Sequence, residues 1–333
     1  MIICRSPLRI SLFGGGTDLP EWHKKNNGLV IGGSINKYSY IHARFLPDIF
    51  KFNYRLRYYK TETVKNINQI KHKPYSEILK HYGFLKDKIE IIHTADLPAL
   101  SGLGSSSSST VSAINAICAL KGAFINKKNL ANLAIKIEKK ILKENVGYQD
   151  QIFSAFGGFN CIRFNADTSY SVENLMNNKR KLESLNNSSI LLWTDIQRHG
   201  SEIEGEKIKN IKNNKKNDIL KHIQEISENA YVQFTKPNWN LKHIGNLMNE
   251  YWYMKKQLSK KITNTKIDQI CKLAMNNGAY GTKLLGAGGG GFVFILCPSN
   301  KKKFLINKLS KFAYVDFKFE NSGSSIIYNK YLI

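Results

Sequence analysis

The sequence predicts an α+β protein of two domains with a ligand cleft between them. Three observations carry this expectation. A chain of 333 residues has room for about two domains, at roughly 150 residues each. Strand-like alternation dominates its first part, whereas helical periodicity dominates beyond about residue 200. Two glycine-rich loops each adjoin a regular element, one before a helix and one before an apolar strand, and a cleft between domains is the usual place for a ligand. The division falls near residue 170, giving units 1–170 and 171–333.

The elements follow in order. Ile3, Arg5, Leu8, Ile10 and Leu12 alternate with Arg9 and Ser11, which reads as a strand. It ends at the turn Gly14-Gly15-Gly16-Thr17-Asp18. Residues 38–46 alternate again, and 54–60 do so more weakly. The polar stretch 65–86 reads as an excursion with a short helix, and 89–94 as a short strand. A glycine-serine loop follows, after which Val111, Ile114, Ile117 and Cys118 recur at helical spacing. Residues 130–142 form a second amphipathic helix, with Leu130, Leu133, Ala134, Ile137 and Ile141 on one face. Strands are expected at 159–164 and 190–194, separated by a polar run. Helices are expected at 219–234, 241–258 and 265–277. A buried strand at 292–297, a Lys-rich helix at 300–312, and strands at 314–319 and 325–328 close the chain.

Composition narrows the class. With 42% hydrophobic and 11% aromatic residues, global disorder is ruled out. Seven prolines and 24 glycines exclude collagen-like and Pro-rich classes. The longest apolar stretch, 284–297, is short and rich in glycine, so no membrane span is expected. The N-terminal MIICRSPLRISLF carries charges inside its apolar run and makes a poor signal peptide, which points to the cytoplasm. Cys4, Cys118, Cys161, Cys271 and Cys297 are odd in number, scattered and never in a CxxC pair, so they read as reduced thiols. Fifty basic against 25 acidic residues leave a net charge of +25, a field that attracts anions such as nucleic acid, acidic membranes or phosphorylated metabolites. Most lysines lie in polar stretches such as 207–221 and read as solvated surface. No RRM, zinc-finger or homeodomain signature is visible, so neither nucleic acid nor membrane is expected as a partner. Oligomeric state has no signature.

Four motifs could carry chemistry. The first is Ser101-Gly102-Leu103-Gly104-Ser105-Ser106-Ser107 ahead of a helix. Glycines let backbone N–H groups approach a ligand, and a helix N-terminus suits phosphate. The loop is neither a Walker A motif nor GxGxxG, and read alone it could be a Ser-rich linker. The second is the run from Lys283 to Phe292, whose four consecutive glycines demand a close neighbour, either another backbone or a phosphate. The third spans Arg5 to Asp18 and offers a cation, Arg9, and a turn carboxylate, Asp18, although Asp is ordinary in turns. The fourth is Gly147-Tyr148-Gln149-Asp150-Gln151, with Asp150 twelve residues after Glu138. Phosphoryl transfer wants a metal ligand and a group to take the nucleophile's proton.

In this order the motifs resemble the GHMP kinases, the superfamily of galactokinase, homoserine kinase, mevalonate kinase and phosphomevalonate kinase. The resemblance runs from Arg5 to Phe292, and PxxxGLGSSS at 98–107 is its most specific part. It implies the GHMP kinase fold, with an N-terminal α/β domain, a C-terminal ferredoxin-like domain and the active site between them. It implies ATP with its phosphates on the loop from Ser101 to Ser107, and Mg²⁺ held by Ser106 and Glu138. Asp150 matches the superfamily's catalytic aspartate, which takes the proton from the acceptor hydroxyl or orients and polarises it. Arg9 matches the arginine that sits beside that aspartate and stabilises charge on the moving phosphoryl. Asp18 matches the aspartate that binds sugar hydroxyls, alongside Gly15, Gly16 and Thr17. Gly288 and Gly289 would approach the bound substrate.

Departures from the pattern narrow the acceptor. Galactokinases carry Gly-Glu-x-His-Thr-Asp where this chain has Gly14-Gly15-Gly16-Thr17-Asp18, so galactose is disfavoured. GGGTDLP, INKYSYIHA and GYQDQ look most like the bacterial heptose kinases. These phosphorylate D-glycero-D-manno-heptose 7-phosphate at its anomeric hydroxyl, toward GDP-heptose for capsule or S-layer glycans. Lys37, Arg198 and His199 flank segments that the resemblance places near the sugar and are candidates for gripping the 7-phosphate. Two alternatives stay open: an anomeric kinase of an unphosphorylated sugar such as fucose, and a non-catalytic sensor on the same fold.

Overall fold

The computed structural model describes residues 1–197 and 200–332. Two sheets organise it. The first contains β1 (Ile2–Phe13), β2 (Gly28–Phe45), β3 (Tyr54–Arg57), β4 (Thr61–Val64), β5 (Ile89–Ala95), β6 (Phe159–Phe164) and β7 (Tyr170–Asn174). The second contains β8 (Ser189–Trp193), β9 (Gly281–Leu284), β10 (Phe292–Leu296) and β11 (Ala313–Tyr314), in the order β11-β8-β10-β9. The last strand, β12 (Ser325–Asn329), returns to the first sheet and pairs with β1.

β2 is the spine of the first sheet. It runs antiparallel to β1 from Ile2↔Ala43 to Phe13↔Ile31, with a register shift after Pro7. Its second half pairs with β5 and its first half with β6. The helices of this unit are α1 (Pro20–Asn26), α2 (Lys73–His81), α3 (Ser105–Leu120), α4 (Lys127–Ile135) and α5 (Gln149–Phe156). The serines of α3 are small enough to bring it close to β1. Ser108 Oγ donates to the Ser6 carbonyl at 2.8 Å, and Ser112 Oγ to the Cys4 carbonyl at 3.1 Å. Val111, Ile114 and Ile117 on the same helix are fully buried. Each such side chain contributes about 1.5–3 kcal/mol by leaving water.

The second unit adds α6 (Lys179–Asn187), α7 (Gly200–Lys212), α8 (Asn217–Thr235), α9 (Leu241–Lys256), α10 (Thr265–Asn276) and α11 (Lys302–Lys308). Asparagine side chains cap several of these helices. Asn264 accepts from the Ile267 N–H at 3.1 Å, and Asn240 from the Lys242 N–H at 3.0 Å. Two apolar cores result. One lies between the first sheet and α2 to α5. The other joins the second sheet and its helices to Leu8, Ile10 and Leu12 of β1. β1 therefore belongs to both cores, since Ile2 and Cys4 pack in the first and its later residues in the second.

The expected division at 170 cuts through the first sheet, because β7 pairs with β6 and β12 with β1. The strand expected at 38–46 begins ten residues earlier, at Gly28. The strand expected at 314–319 reduces to Ala313–Tyr314 and one bridge, Ile35↔Phe319. All five cysteines are buried and free, as their scatter predicts. Among the described residues, no helix is long and apolar enough to cross a membrane.

Candidate active site

A cavity of about 580 Å³ opens where the two units meet. Its walls are the end of β1, the 14–18 turn, the 102–106 loop, the 143–150 segment, α7, α9 and the 286–290 loop. The size is ordinary for a small-molecule site. At its centre Arg9 meets Asp150. Arg9 Nε donates to Asp150 Oδ1 and Nη2 to Oδ2, both at 2.7 Å. This is the two-pronged arrangement that a guanidinium fork makes with a carboxylate. The third prong, Nη1, donates to the Gly102 carbonyl at 2.6 Å. The Arg9 side chain is 6% exposed and that of Asp150 25%, so the carboxylate alone keeps an open side toward the cavity. Asp150 lies in the first turn of α5, where a helix dipole favours negative charge.

The 101–107 loop crosses one wall. Gly102, Gly104, Ser105 and Ser106 line the cavity, and Gly104 takes the left-handed conformation as the N-cap of α3. The 16-residue α3 thus directs the free N–H groups of its first turn at the cavity edge. The 286–291 loop backs onto it. A Cβ on Gly286 would lie 2.5 Å from Gly102 Cα, so these two loops touch backbone to backbone. Close approach of main chains therefore accounts for glycine there.

Asp18 also lines the cavity. Its Oδ1 accepts from the Gly16 N–H at 3.0 Å and its Oδ2 from the Gln149 N–H at 3.3 Å. The 14–18 turn is thereby tied to the start of the helix that carries Asp150. A Cβ on Gly147 would strike Asp18 Oδ2 at 1.8 Å, so only glycine leaves room for that tie. Burial pushes the Asp18 carboxyl above its usual range, and the Gly16 N–H opposes the shift.

Residues 69–158 match the model of the GHMP kinases N terminal domain, and 238–315 that of the GHMP kinases C terminal domain. The chain is 30% identical, over 96% of both sequences, to the D-glycero-alpha-D-manno-heptose 7-phosphate kinase of Campylobacter jejuni. This chain belongs to the GHMP kinases. Its fold agrees with a crystal structure described as a D-glycero-D-manno-heptose 1-phosphate kinase from Bacteriodes thetaiotaomicron. The TM-score is 0.79 and the identity 22%, over 99% of this chain and 100% of that one. A Campylobacter jejuni structure described as a sugar kinase superposes with a TM-score of 0.72 at 27% identity, over 98% of each chain. A GHMP kinase is an ATP-dependent phosphotransferase, and the loop, the ion pair and Asp18 line one cavity in this member.

The Mg²⁺ implied by the family resemblance would need oxygen ligands beside the phosphate loop. Glu138 sits in a single π-helical turn, Lys136–Ile141, a local irregularity common at functional positions. It is 1% exposed. Its Oε2 accepts from Ser107 Oγ at 2.8 Å and from Gln151 Nε2, whereas its buried Oε1 has no partner. Burial pushes this carboxyl up to about 7, against hydrogen bonds from Thr110, Ser107 and Gln151. A buried carboxylate with an orphaned oxygen beside serine hydroxyls is the hard-oxygen chemistry that Mg²⁺ accepts. No cluster of three or more His, Cys, Asp or Glu side chains that could hold a metal ion occurs among the described residues. The two expected ligands differ in placement. Ser106 lines the cavity, while Glu138 lies behind it and is bonded by Ser107.

Several expected site residues serve the scaffold. Ser101 is buried, Leu103 belongs to the second core and Ser107 points at Glu138. Thr17 Oγ1 lies 2.9 Å from the Gly14 carbonyl and accepts from the Leu29 N–H, so it fastens the turn to β2 and does not line the cavity. Gly15, Gly16 and Gly288 do line it. The Gly289 N–H is turned away to the Ile262 carbonyl. Lys37 is not among the lining residues either. It sits at the register shift of β2, next to Asn36, whose N–H is held by the Lys318 carbonyl. Arg198 and His199 lie outside the described residues.

The structure instead lines the cavity with Lys143, Lys207 and Lys255, and buries Lys283 behind the end of β1. Lys207, read from sequence as solvated surface, is 4% exposed and lines the cavity from α7. Lys255 of α9 is also 4% exposed and lines it. Lys283 Nζ donates to the carbonyls of Ser11 at 2.8 Å and Leu12 at 2.6 Å, and lies 4.2 Å above the Tyr251 ring. It fastens the second sheet to the end of β1. Lys255 had one visible signal: it continues the apolar face Ile244, Leu247, Met248, Tyr251 at helical spacing, where a lysine is out of place.

Proposed function

We propose that this kinase transfers the γ-phosphoryl of ATP to the anomeric hydroxyl of D-glycero-D-manno-heptose 7-phosphate, giving the 1,7-bisphosphate. The product would feed GDP-heptose synthesis for capsule or S-layer glycans, in the cytoplasm where ATP is available. The observation that carries the reaction type is the Arg9–Asp150 pair. It stands between an anion-cradling loop and a wall bearing a second carboxylate, with one carboxylate face open. The acceptor rests on the relative at 30% identity, whose name specifies heptose 7-phosphate.

In this reading the α3 N-terminus and the 102–106 backbone hold the phosphates. Ser106 and Glu138 would hold Mg²⁺, which when bound would supply positive charge against that developing on the phosphates. Asp18 and the 15–16 backbone position the sugar. The anomeric oxygen attacks the γ-phosphorus, the bond to the bridging oxygen of ADP breaks, and Asp150 receives the hydroxyl proton. The Arg9 guanidinium keeps the carboxylate aimed and faces the negative charge that spreads over the moving phosphoryl. No covalent enzyme intermediate is required.

The reading is tested by following ADP release with Mg²⁺-ATP and a panel of acceptors. Turnover of heptose 7-phosphate at least about tenfold more efficient than of mannose, fucose or galactose supports it. Preference for a free sugar would remove the heptose phosphate while leaving the kinase. Absence of turnover with every acceptor, with ATP still bound, would favour a sensor.

A further inference from the structure

We propose that Lys207 and Lys255 form a seat for a phosphate group that the acceptor already carries, and thereby select a phosphorylated over a free sugar. The inference rests on the acceptor class proposed above and names the residues that enforce it.

Both ammonium groups are withdrawn from bulk water yet reach the same cavity. A lysine is rarely buried without a partner. Lys207 Nζ pairs with Glu204 Oε1 at 2.8 Å. Lys255 Nζ donates to the Gly286 carbonyl at 2.6 Å, and no carboxylate lies within ion-pair distance of it among the described residues. Two buried lysines thus line this wall, Lys207 paired with Glu204 and Lys255 with no carboxylate of its own. Such a wall is costly when empty and repaid by an anion. Burial brings the Lys255 amine down to about 7, and Lys207 is the largest charge acting on it in the same direction. Both side chains line the same cavity, where one phosphate would meet both. Glu204 and Asp18 oppose that shift, while Arg9 adds to it.

Lys207 adjoins Gly16 in a small recess with Asn210 and Leu220. Lys255 reaches the Gly286 carbonyl, and Gly286 abuts Gly102 of the ATP-directed loop, so the seat runs from the 14–18 turn toward that loop. Glu204 Oε2 is buried without a partner and lines the cavity, leaving an acceptor for a sugar hydroxyl beside the two ammonium groups.

The test uses the full chain saturated with Mg²⁺ and a non-hydrolysable ATP analogue, so that the γ-phosphate position is filled. Inorganic phosphate is then titrated calorimetrically. The wild type should bind it, and Lys207→Met and Lys255→Met should each weaken binding by about tenfold or more. Affinity for the analogue should stay within about twofold, which also shows that each variant is folded. Failure of the wild type to bind phosphate, or equal binding by the variants, would overturn the seat. A parallel loss of analogue affinity would assign the lysines to ATP and overturn it too. In turnover, both variants should raise KM for heptose 7-phosphate with KM for ATP unchanged. Lysine-dependent phosphate binding without turnover of heptose 7-phosphate would retain the seat and refute the sugar assignment alone.

Discussion

Arg9 grips both carboxylate oxygens of Asp150 and spends its remaining prong on the Gly102 carbonyl of the phosphate-directed loop. One side chain therefore fixes Asp150, the proposed proton acceptor, relative to the loop. Asp150→Asn preserves shape but cannot take a proton. We expect kcat to fall by about two to four orders of magnitude, with KM for ATP changed by less than about threefold. Near-normal kcat would remove Asp150 from proton transfer.

Arg9→Lys keeps the charge and loses the fork. A single ammonium cannot bond both oxygens and Gly102 in this geometry. The expected result is a drop in kcat of about tenfold or more, larger than any change in KM for either substrate. If Arg9→Lys retains full kcat, charge alone suffices and the aiming role fails.

The two serines can be told apart through Mg²⁺. Ser106 lines the cavity and Ser107 bonds Glu138. Ser106→Ala should raise the Mg²⁺ concentration for half-maximal rate by about fivefold or more, and Glu138→Gln at least as much. Ser107→Ala should have a smaller effect. A larger shift with Ser107→Ala would transfer the ligand role to that residue.

Acid stability provides a check independent of catalysis. Burial pulls both His93 and His72 down to about 4, from an ordinary value of 6.5, with Glu62 opposing the shift at His72. Between those values the unfolded chain binds protons that the folded histidines refuse. Stability from these groups is therefore full above about pH 6.5 and lost as pH falls toward 4. Asp18 and Glu138, whose carboxyls are raised, act with the opposite sign over part of that range. The contrast of His93→Gln with wild type isolates the histidine. The urea midpoint should fall less steeply in the variant between pH 7 and 5. Parallel pH profiles would show that His93 takes up its proton without unfolding.

Much of the scaffold was legible because its signals are local. The expected helix at 265–277 is observed at Thr265–Asn276, and that at 219–234 at Asn217–Thr235, since their apolar spacing coincides with buried faces. The first half of β2 was not legible. Leu29, Val30 and Ile31 are all fully buried, and Gly32 and Gly33 follow, so no alternation marks the strand. At the site, Arg9, Asp18, Asp150 and the 102–106 loop were recognisable from motif order, and the cavity brings them together. Lys207 was hidden, and Lys255 marked only by its place on an apolar helix face, for a physical reason. In sequence a lysine reads as solvent-exposed, and only the packing of α7 and α9 against the cavity withdraws these two from water. The π turn that sets Glu138 behind Ser107 likewise follows no sequence period.

The most direct test of the central claim is phosphorus-31 NMR of the protein with Mg²⁺-ATP and heptose 7-phosphate. We predict a new anomeric phosphate signal that grows with the ADP signals while the 7-phosphate resonance persists, and that Asp150→Asn abolishes on the same time scale. ATP consumption without an anomeric signal, or the anomeric signal arising only from a free sugar, would contradict the account.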